Sequence, residues 1–385
     1  MAHHEYPVVI VGAGPTGLTL GAELCRRGVR PLILDRLEAG SNTSRAAVIH
    51  ARTLEVLNPL GVTAELLANG VIVPTFRVRD RNEVLTSISF KDLPTMFPFT
   101  LMCPQNVTES ILLRRLQALG GSVLRPCDVT MTRMRPSGVE LEYQSQGVTN
   151  TVYAKWLVGC DGGHSIVREQ ANIAFEGSTY EESFILADVE MDWPIDREEV
   201  SLFFSDKGLV VVAPLPHNHF RIVATVDQAV ERPSINDFEQ LLIERGPTEG
   251  TMHIRDMAWS SRFRVSHKVA ETFRKGNVLL AGDAAHVHSP AGGQGMNTGI
   301  QDAVALAESL VAVWSGGDSS SLNEWASNRR EIARSTVQLT DRMTKAATAT
   351  SPMMKMLRNA VLDVVGHLPF AQNALAGRLA ELNNK

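Results

Sequence analysis

The sequence predicts an α/β chain, α+β taken as a whole. A Rossmann-like domain with a parallel sheet is interleaved with an antiparallel β domain, and helices follow toward the C-terminus. Three observations predict this. Residues 6–36 run strand, G-x-G-x-x-G turn, helix and strand. Two later strands, ending near residues 158 and 281, each run into a turn rich in glycine and carrying an acid. Between them, residues 180–227 read as short strands separated by turn residues.

Pro7-Val8-Val9-Ile10-Val11 is apolar and β-branched, as a strand buried in a parallel sheet requires. Gly12-Ala13-Gly14-Pro15-Thr16-Gly17 follows. Gly12 permits the tight turn, Gly14 lets backbone approach a pyrophosphate, and Gly17 lets helix pack on strand. A helix runs from about Thr16 to Arg27 and stops at Gly28. Its free N–H groups and partial positive charge suit phosphate oxygens. Pro31-Leu32-Ile33-Leu34 is the second strand, and it ends at Asp35, placed to accept ribose hydroxyls.

At 385 residues the chain exceeds one compact core, so two subdomains are expected. With 44% hydrophobic and 21% charged residues it is an ordinary globular composition, not a disordered one. The formal charge of −5 points to neither nucleic acid nor an anionic membrane surface as partner. Cys25, Cys103, Cys127 and Cys160 form no C-x-x-C and no zinc spacing; they fit a reduced, cytoplasmic setting, with pairing among the four as the alternative. No secretory signal and no apolar run of about 18 residues is expected from the sequence.

Residues 37–44 are polar, and Arg45 follows, either reaching the pyrophosphate or serving as a solvated loop charge. A short helix spans Thr53 to Leu57, and 71–101 reads as strands. Thr108 is placed to cap a helix ending at Leu119, before Gly120-Gly121. A strand near 122–125 and two in 129–157 lead to Gly159-Cys160-Asp161-Gly162-Gly163-His164-Ser165, where Ser165 caps a short helix carrying Arg168. In the antiparallel insertion, Phe203, Val211, Val212 and Phe220 either face a ligand or belong to the core. His217 and His219 lie in a turn without acidic or cysteine partners at metal spacing. An amphipathic helix spans 235–246 and a strand 254–264. The strand 276–281 meets Gly282-Asp283-Ala284-Ala285-His286, then Gly292-Gly293-Gln294-Gly295-Met296-Asn297 opens a helix to about Val313. Helices cover Leu322–Met343 and Met353–Leu382, with Gly366 and Pro369 as a break and Met353, Met354 and Met356 as packing.

One G-x-G-x-x-G serves one ADP moiety, and no second fingerprint is present. A nicotinamide dehydrogenase would leave Asp161 and the Asp283–Asn297 region without a task. FAD, whose flavin half needs a remote second site, uses all three segments.

On these three motifs together, with Ser44-Arg45-Ala46 and Ala51-Arg52-Thr53-Leu54-Glu55-Val56-Leu57, the chain resembles the FAD-dependent aromatic hydroxylases. These are the single-component flavoprotein monooxygenases related to 4-hydroxybenzoate and phenol hydroxylases. The resemblance spans about residues 7–345 and is nearest the polyketide and phenol-hydroxylase branch, without that branch's thioredoxin-like C-terminal domain. It implies an FAD-binding domain over 1–70, 100–180 and 265–345, a substrate-binding β domain over 71–99 and 181–264, and C-terminal helices over 346–385. It further implies that Gly12, Gly14, Pro15, Thr16 and Gly17 hold the cofactor, that Asp35 binds the adenosine ribose with Arg36 by the adenine, and that Arg45 contacts the pyrophosphate. Gln105 would reach the flavin side and Val129 would offer backbone to the adenine. Asp161 would join the cofactor and nicotinamide sites, and Asp283 would bind the ribityl chain. Gly293, Gly295, Met296 and Asn297 would present N–H groups to the flavin pyrimidine edge. Arg221 would touch the flavin ring and Pro290 would lie beside the substrate, with Phe203, Val212 and Phe220 as candidate substrate contacts. The implied reaction takes NADH or NADPH as transient donor and molecular oxygen. It hydroxylates a small aromatic molecule through a flavin C4a-hydroperoxide. A reductase, dehydrogenase, epoxidase or halogenase on the same scaffold, or a non-catalytic binding protein, are the alternatives. Substrate identity and oligomeric state are not written in these motifs.

Overall fold

The computed structural model describes residues 5–40, 46–205, 207–226, 230–347 and 368–384. The chain opens on β1 (Glu5–Val11), α1 (Pro15–Arg26) and β2 (Leu32–Leu34). β3 (Val48–Ile49), α2 (Ala51–Leu57), α3 (Thr63–Ala68) and β4 (Val71–Val73) follow. β5 (Thr75–Asp80) and β6 (Glu83–Ser89) form a hairpin, then come β7 (Thr100–Met102), α4 (Gln105–Ala118) and β8 (Val123–Leu124). β9 (Asp128–Arg135), β10 (Gly138–Ser145) and β11 (Val148–Gly159) form a meander ended by α5 (Ile166–Gln170). β12 (Phe175–Asp192), β13 (Glu199–Ser205), β14 (Gly208–Pro214) and β15 (His219–Val226) lead to α6 (Ile235–Arg245) and β16 (His253–Ala270). β17 (Arg274–Lys275), β18 (Val278–Leu280), β19 (His286–Val287), α7 (Gly295–Trp314), α8 (Ser320–Ala347) and a C-terminal helix (Pro369–Leu379) complete it.

The first sheet has the order β17-β18-β11-β1-β2-β8, with β10 and β9 added beside β11. β1 pairs in parallel with β2 and β11, so its apolar run lies at the centre, where Val9 and Ile10 are fully buried. α1 covers it with Leu18, Leu20 and Leu24. The second sheet has the order β19-β16-β12-β15-β14-β13-β5-β6 and is antiparallel except for β13–β5. A third sheet, β3-β7-β4, was not expected; it takes residues 71–73 out of the proposed substrate domain. β12 and β16, each 18 residues long, run as one ladder from Phe175–Ala270 to Asp192–His253. The expected boundaries at 180 and 264 therefore fall inside continuous strands.

α4 starts three residues before the expected cap. Pro104 takes the N-cap position, since its fixed φ suits a helix entry and it needs no amide donor. The Thr108 N–H makes an i→i−4 bond to the Pro104 carbonyl at 3.1 Å. Ser165 does cap α5, its hydroxyl accepting the Arg168 N–H at 3.0 Å. The expected Met353–Met356 stripe lies outside the described residues.

Candidate functional site

The three glycine-bearing segments meet. The Cys160 N–H donates to the Val11 carbonyl at 2.7 Å, which brings the end of β11 against the end of β1. Gly12 turns there with φ +101°, and a Cβ on it would stand 2.2 Å from the Cys160 oxygen. Thr16, on the first turn of α1, fills the space beside Gly282 and Gly299, where an added Cβ would reach its Oγ1 at 2.5 Å in each case. Only glycine allows these approaches. Asp161, Thr16 and the 282–299 segment therefore border one region at the start of α1.

That region has the character of a dinucleotide cradle. Gly14 has extended backbone at the N-cap of α1, and a Cβ built there meets nothing within 4 Å. The space in front of it is open, and the first N–H groups of α1 have no intrahelical acceptor. Asp35 accepts the Ala13 N–H at 2.6 Å and the Leu37 N–H at 2.9 Å, so it shapes the glycine loop while lying at its rim. Asp161 accepts the Val167 N–H at 3.2 Å, but its other oxygen is buried without a partner among the described residues. Burial raises its pKa above the usual carboxylate range. The Ser165 hydroxyl and the Ile166 N–H stand near the carboxyl without closing a hydrogen bond to that oxygen, which a ligand hydroxyl or amide would satisfy.

Arg125 follows β8 as Asp35 follows β2, at the carboxyl ends of neighbouring parallel strands. Its guanidinium reaches the Ala13 carbonyl at 3.2 Å and stands 3.9 Å from Asp35 Oδ1. It also lines a cavity of about 260 Å³ with Gly40, Asn106 and Glu109. The sequence reading missed Arg125, although its place at a strand end was the available signal. Val129, by contrast, is buried in the core cluster and pairs with Tyr143. The backbone beside Asp35 is that of Leu124 and Cys127, which bond to it at 3.1 and 2.8 Å. Val129, expected beside the adenine, is thus one strand turn away from Asp35, and the 124–127 segment lies next to it instead.

The second half of the region is built around Val48. Residues 46–49 are pinned on one side by Cys103 N–H to Ala47 O at 2.7 Å and Gln105 N–H to Ala46 O at 3.0 Å. The Gln105 side chain accepts the Ala46 N–H at 3.1 Å and donates to Glu109 at 2.8 Å. On the other side, Asn297 donates to the Val48 carbonyl at 2.8 Å and accepts the His50 N–H at 2.9 Å. The Asn297 side chain is thus fully buried structure, and what its segment offers a ligand is backbone. Gly295, Met296 and Asn297 open α7, where N–H groups have no intrahelical acceptor. His50 Nε2 donates to the Gly292 carbonyl at 2.7 Å. Burial lowers the His50 pKa to about 4, so this ring is neutral near pH 7. Asp283 and Pro290 are both exposed, at the two ends of the turn between β18 and α7. Arg45 lies outside the described residues. Arg36 is an exposed residue beyond β2.

On α7, Asp302 accepts from Arg329 at 2.6 Å, from Gly282 N–H at 3.1 Å and from His286 at 2.7 Å. Burial alone would raise this carboxyl, but Arg329 and His286 reverse the effect and hold it below its usual range. This buried knot fixes Gly282, and with it Asp283, against the helix.

The antiparallel sheet presents two faces, and strand partners share a face. Phe203 pairs with Val210, and Val212 pairs with Ile222. These residues and Phe220 form a separate core cluster with Phe238 and Leu242 of α6. Phe203, Val212 and Phe220 are therefore not substrate contacts: they are 0%, 2% and 4% exposed under α6. Val211 and Leu202 lie on the opposite face and pack toward the main core. Arg221 shares that opposite face with Ala213 and Asp188. It is buried, with Nε and one terminal nitrogen each 2.8 Å from a separate Asp188 oxygen, while the Trp259 indole donates to Asp188 at 2.9 Å. His217 and His219 stand at the turn between β14 and β15, as expected, and no group of metal-ligating side chains occurs among the described residues.

A parallel sheet with a glycine cradle at its carboxyl edge, sharing one core with an antiparallel sheet, has the architecture of a dinucleotide-binding fold. The family model described as "FAD binding domain" matches residues 5–340. The chain belongs to the FAD-dependent aromatic hydroxylase family and is an FAD-dependent monooxygenase. It is 35% identical over 352 residues to a flavin-dependent monooxygenase of Mycobacteroides abscessus, covering 86% of this chain and 73% of that one. The anhydrotetracycline hydroxylase structure from Streptomyces rimosus superposes with TM-score 0.84 at 31% identity, over 98% of this chain and 76% of that one. The p-nitrophenol 4-monooxygenase structure from Pseudomonas putida shares the fold with TM-score 0.89 at 24% identity, over 100% and 98% of the two chains. Among the described residues no helix is long and apolar enough to cross a membrane.

Proposed function

We propose that this protein hydroxylates a small phenolic or polyketide-like aromatic molecule, using FAD, NADH or NADPH, and molecular oxygen. The observation that carries the reading is the meeting of Gly12–Gly17, Asp161 and the Gly282–Asn297 segment around one open cradle. When bound there, FAD supplies hydride acceptance from the nicotinamide and insertion of one oxygen atom into an electron-rich ring.

The chain's own residues divide the remaining work. Gly12, Gly14, Pro15, Thr16 and Gly17 seat the pyrophosphate on the α1 N-terminus, with Asp35 and Arg125 at the adenosine end. Asp161, with its unpaired buried oxygen, and Asp283 hold the polyol chain. The N–H groups of Gly295, Met296 and Asn297 stabilise negative charge at the pyrimidine edge through the α7 dipole. Gln105, which fixes Ala46, would reach the flavin side of the cofactor. Arg221, paired with Asp188, would touch the flavin ring from the second sheet, and Pro290 would border the substrate. The two sheets together exclude water from the reacting atoms. Arg45 is proposed as a pyrophosphate and nicotinamide contact on its sequence motif alone. The names of relatives that act on tetracyclines, chlorophenols and nitrophenols support an aromatic substrate of this kind.

The test is a panel of phenols, polycyclic aromatics and quinones supplied with NADH or NADPH under ¹⁸O₂. Substrate-stimulated oxidation with one labelled oxygen in the product is expected. Peroxide release without labelled product from every compound would overturn oxygen transfer.

A further inference from the structure

The turn after the C-terminal helix carries an unusual residue. Glu381 has φ +58°, at the position where a Schellman turn normally places glycine. Its N–H donates to Arg378 O, and the Leu382 N–H donates to Gly377 O, both at 3.1 Å, which completes that turn. A side chain in the left-handed region costs about 1 kcal/mol. Glu381 is also only 1% exposed, a second cost for a carboxyl. Glycine would remove both, so the side chain is kept for what it touches.

It touches α7. One carboxyl oxygen meets Thr298 Oγ1 at 3.2 Å and the other accepts from Gln301 Nε2. Gln301 also donates to Thr53 of α2 at 3.1 Å, and Thr298 donates to the Gln294 carbonyl at 3.0 Å. The neighbouring turn adds Gln294 Nε2 to Leu379 O at 3.0 Å and Arg52 N–H to Ala380 O at 3.2 Å. Thr298 Oγ1 reaches both the Gln294 carbonyl and Glu381 and has one proton to give. With that proton on the Gln294 carbonyl, the contact to Glu381 is a hydrogen bond only when the carboxyl is protonated and donates. The charged groups around it are Asp302 on α7, Arg329 on α8 and the Arg52–Glu55 pair on α2. Arg329 is directed at Asp302 and the Thr298 carbonyl, and His50 at the head of α2 is neutral.

We infer that Glu381 is a positioning residue that acts as a neutral hydrogen-bond donor, clasping the C-terminal turn to the start of α7 and so setting the backbone N–H groups that receive the flavin. The flavin part of this inference rests on the reading given above. Burial, which pushes the Glu381 carboxyl up to about 8, is in keeping with the neutral form.

The experiment compares wild type, Glu381→Gln and Glu381→Ala by FAD fluorescence titration and by thermal melting of the apoprotein, from pH 5 to 9.5. In E381Q the new side-chain amide would donate to Thr298 and accept from Gln301, replacing the acid at every pH. Wild-type FAD affinity is expected to fall above about pH 8, while E381Q binds as tightly as wild type at pH 7 and stays flat. E381A is expected to bind FAD about tenfold more weakly at pH 7 while keeping the folded circular dichroism spectrum, the loss of one to two hydrogen bonds. E381Q weakened as far as E381A would overturn the neutral donor, and unchanged FAD affinity in both would overturn positioning. The melting data separate this from the flavin reading. Wild-type stability relative to E381Q should decline from about pH 4.5 to about pH 8 and then level, because the folded state alone keeps the proton. That decline is expected even if wild type binds no FAD; parallel curves would sink the protonation claim.

Discussion

Gly12 and Gly14 are two residues apart and have opposite sensitivities. A Cβ at Gly12 meets backbone at 2.2 Å, whereas one at Gly14 meets open space. Gly12→Ala should therefore damage the fold, since backbone must shift. Gly14→Val should melt close to wild type yet fail to take up FAD, because its methyls occupy the pyrophosphate position. Flavin absorbance after reconstitution, read beside the melting curve, checks this; a yellow G14V would remove the cradle. His50 gives a second residue-scale expectation. Its pKa falls from an unfolded 6.5 to about 4, so the folded state resists a proton that the unfolded chain accepts. Stability is then fully present above about pH 6.5 and lost as pH falls toward 4, on the order of 3 kcal/mol at most for this one group. Urea midpoints between pH 4 and 7 should show a shallower acid limb in His50→Asn than in wild type. The glycines were legible because each motif is local. Arg125, His50 and Glu381 were not, because each acts on residues far away in sequence.

The second sheet shows where pattern reading stops at the scale of an element. β13 to β15 fall inside the 180–227 stretch that reads as short strands separated by turn residues. Which face looked inward was not readable. Leu202 and Phe203, or Val211 and Val212, are apolar neighbours on opposite faces, because α6 covers one face and the main core lies against the other. With both faces buried, the alternation that would mark a water-facing side disappears. Phe203→Ala should therefore act on stability. Removing a fully buried phenylalanine beneath α6 should cost about 3–5 kcal/mol, while KM for substrate stays near wild type. Denaturant unfolding and initial-rate kinetics test the two halves, and a large KM change with little loss of stability would return Phe203 to the substrate wall.

At the scale of the whole molecule, the division into two domains was legible but its nature was not. The sequence has glycine-bearing turns toward either end and β structure between, which suggests separable units. β12 and β16 pair within the second sheet, and their ladder runs from Phe175–Ala270 to Asp192–His253 across both expected boundaries. The main core also crosses the division: Val200, Ala213 and Leu215 of the second sheet belong to the same cluster as Val9, Ile10 and Leu280 of the first. Cys160 at the end of β11 and Thr16 on α1 then lock the glycine segments from three regions of the chain. A molecule connected in this way should unfold cooperatively. Calorimetry of the FAD-loaded protein is expected to give one transition, with calorimetric and van't Hoff enthalpies equal. Free FAD at about a hundred times its Kd should raise stability by about 2.7 kcal/mol, and the whole transition should move without changing its shape. Asp188→Ala tests the join from the second sheet. It leaves Arg221 buried without its carboxylate, a change worth roughly 3–5 kcal/mol, and should lower the single transition. Two resolved transitions in that variant, with only one of them responding to FAD, would show that the sheets fold independently and that the common core does not couple them.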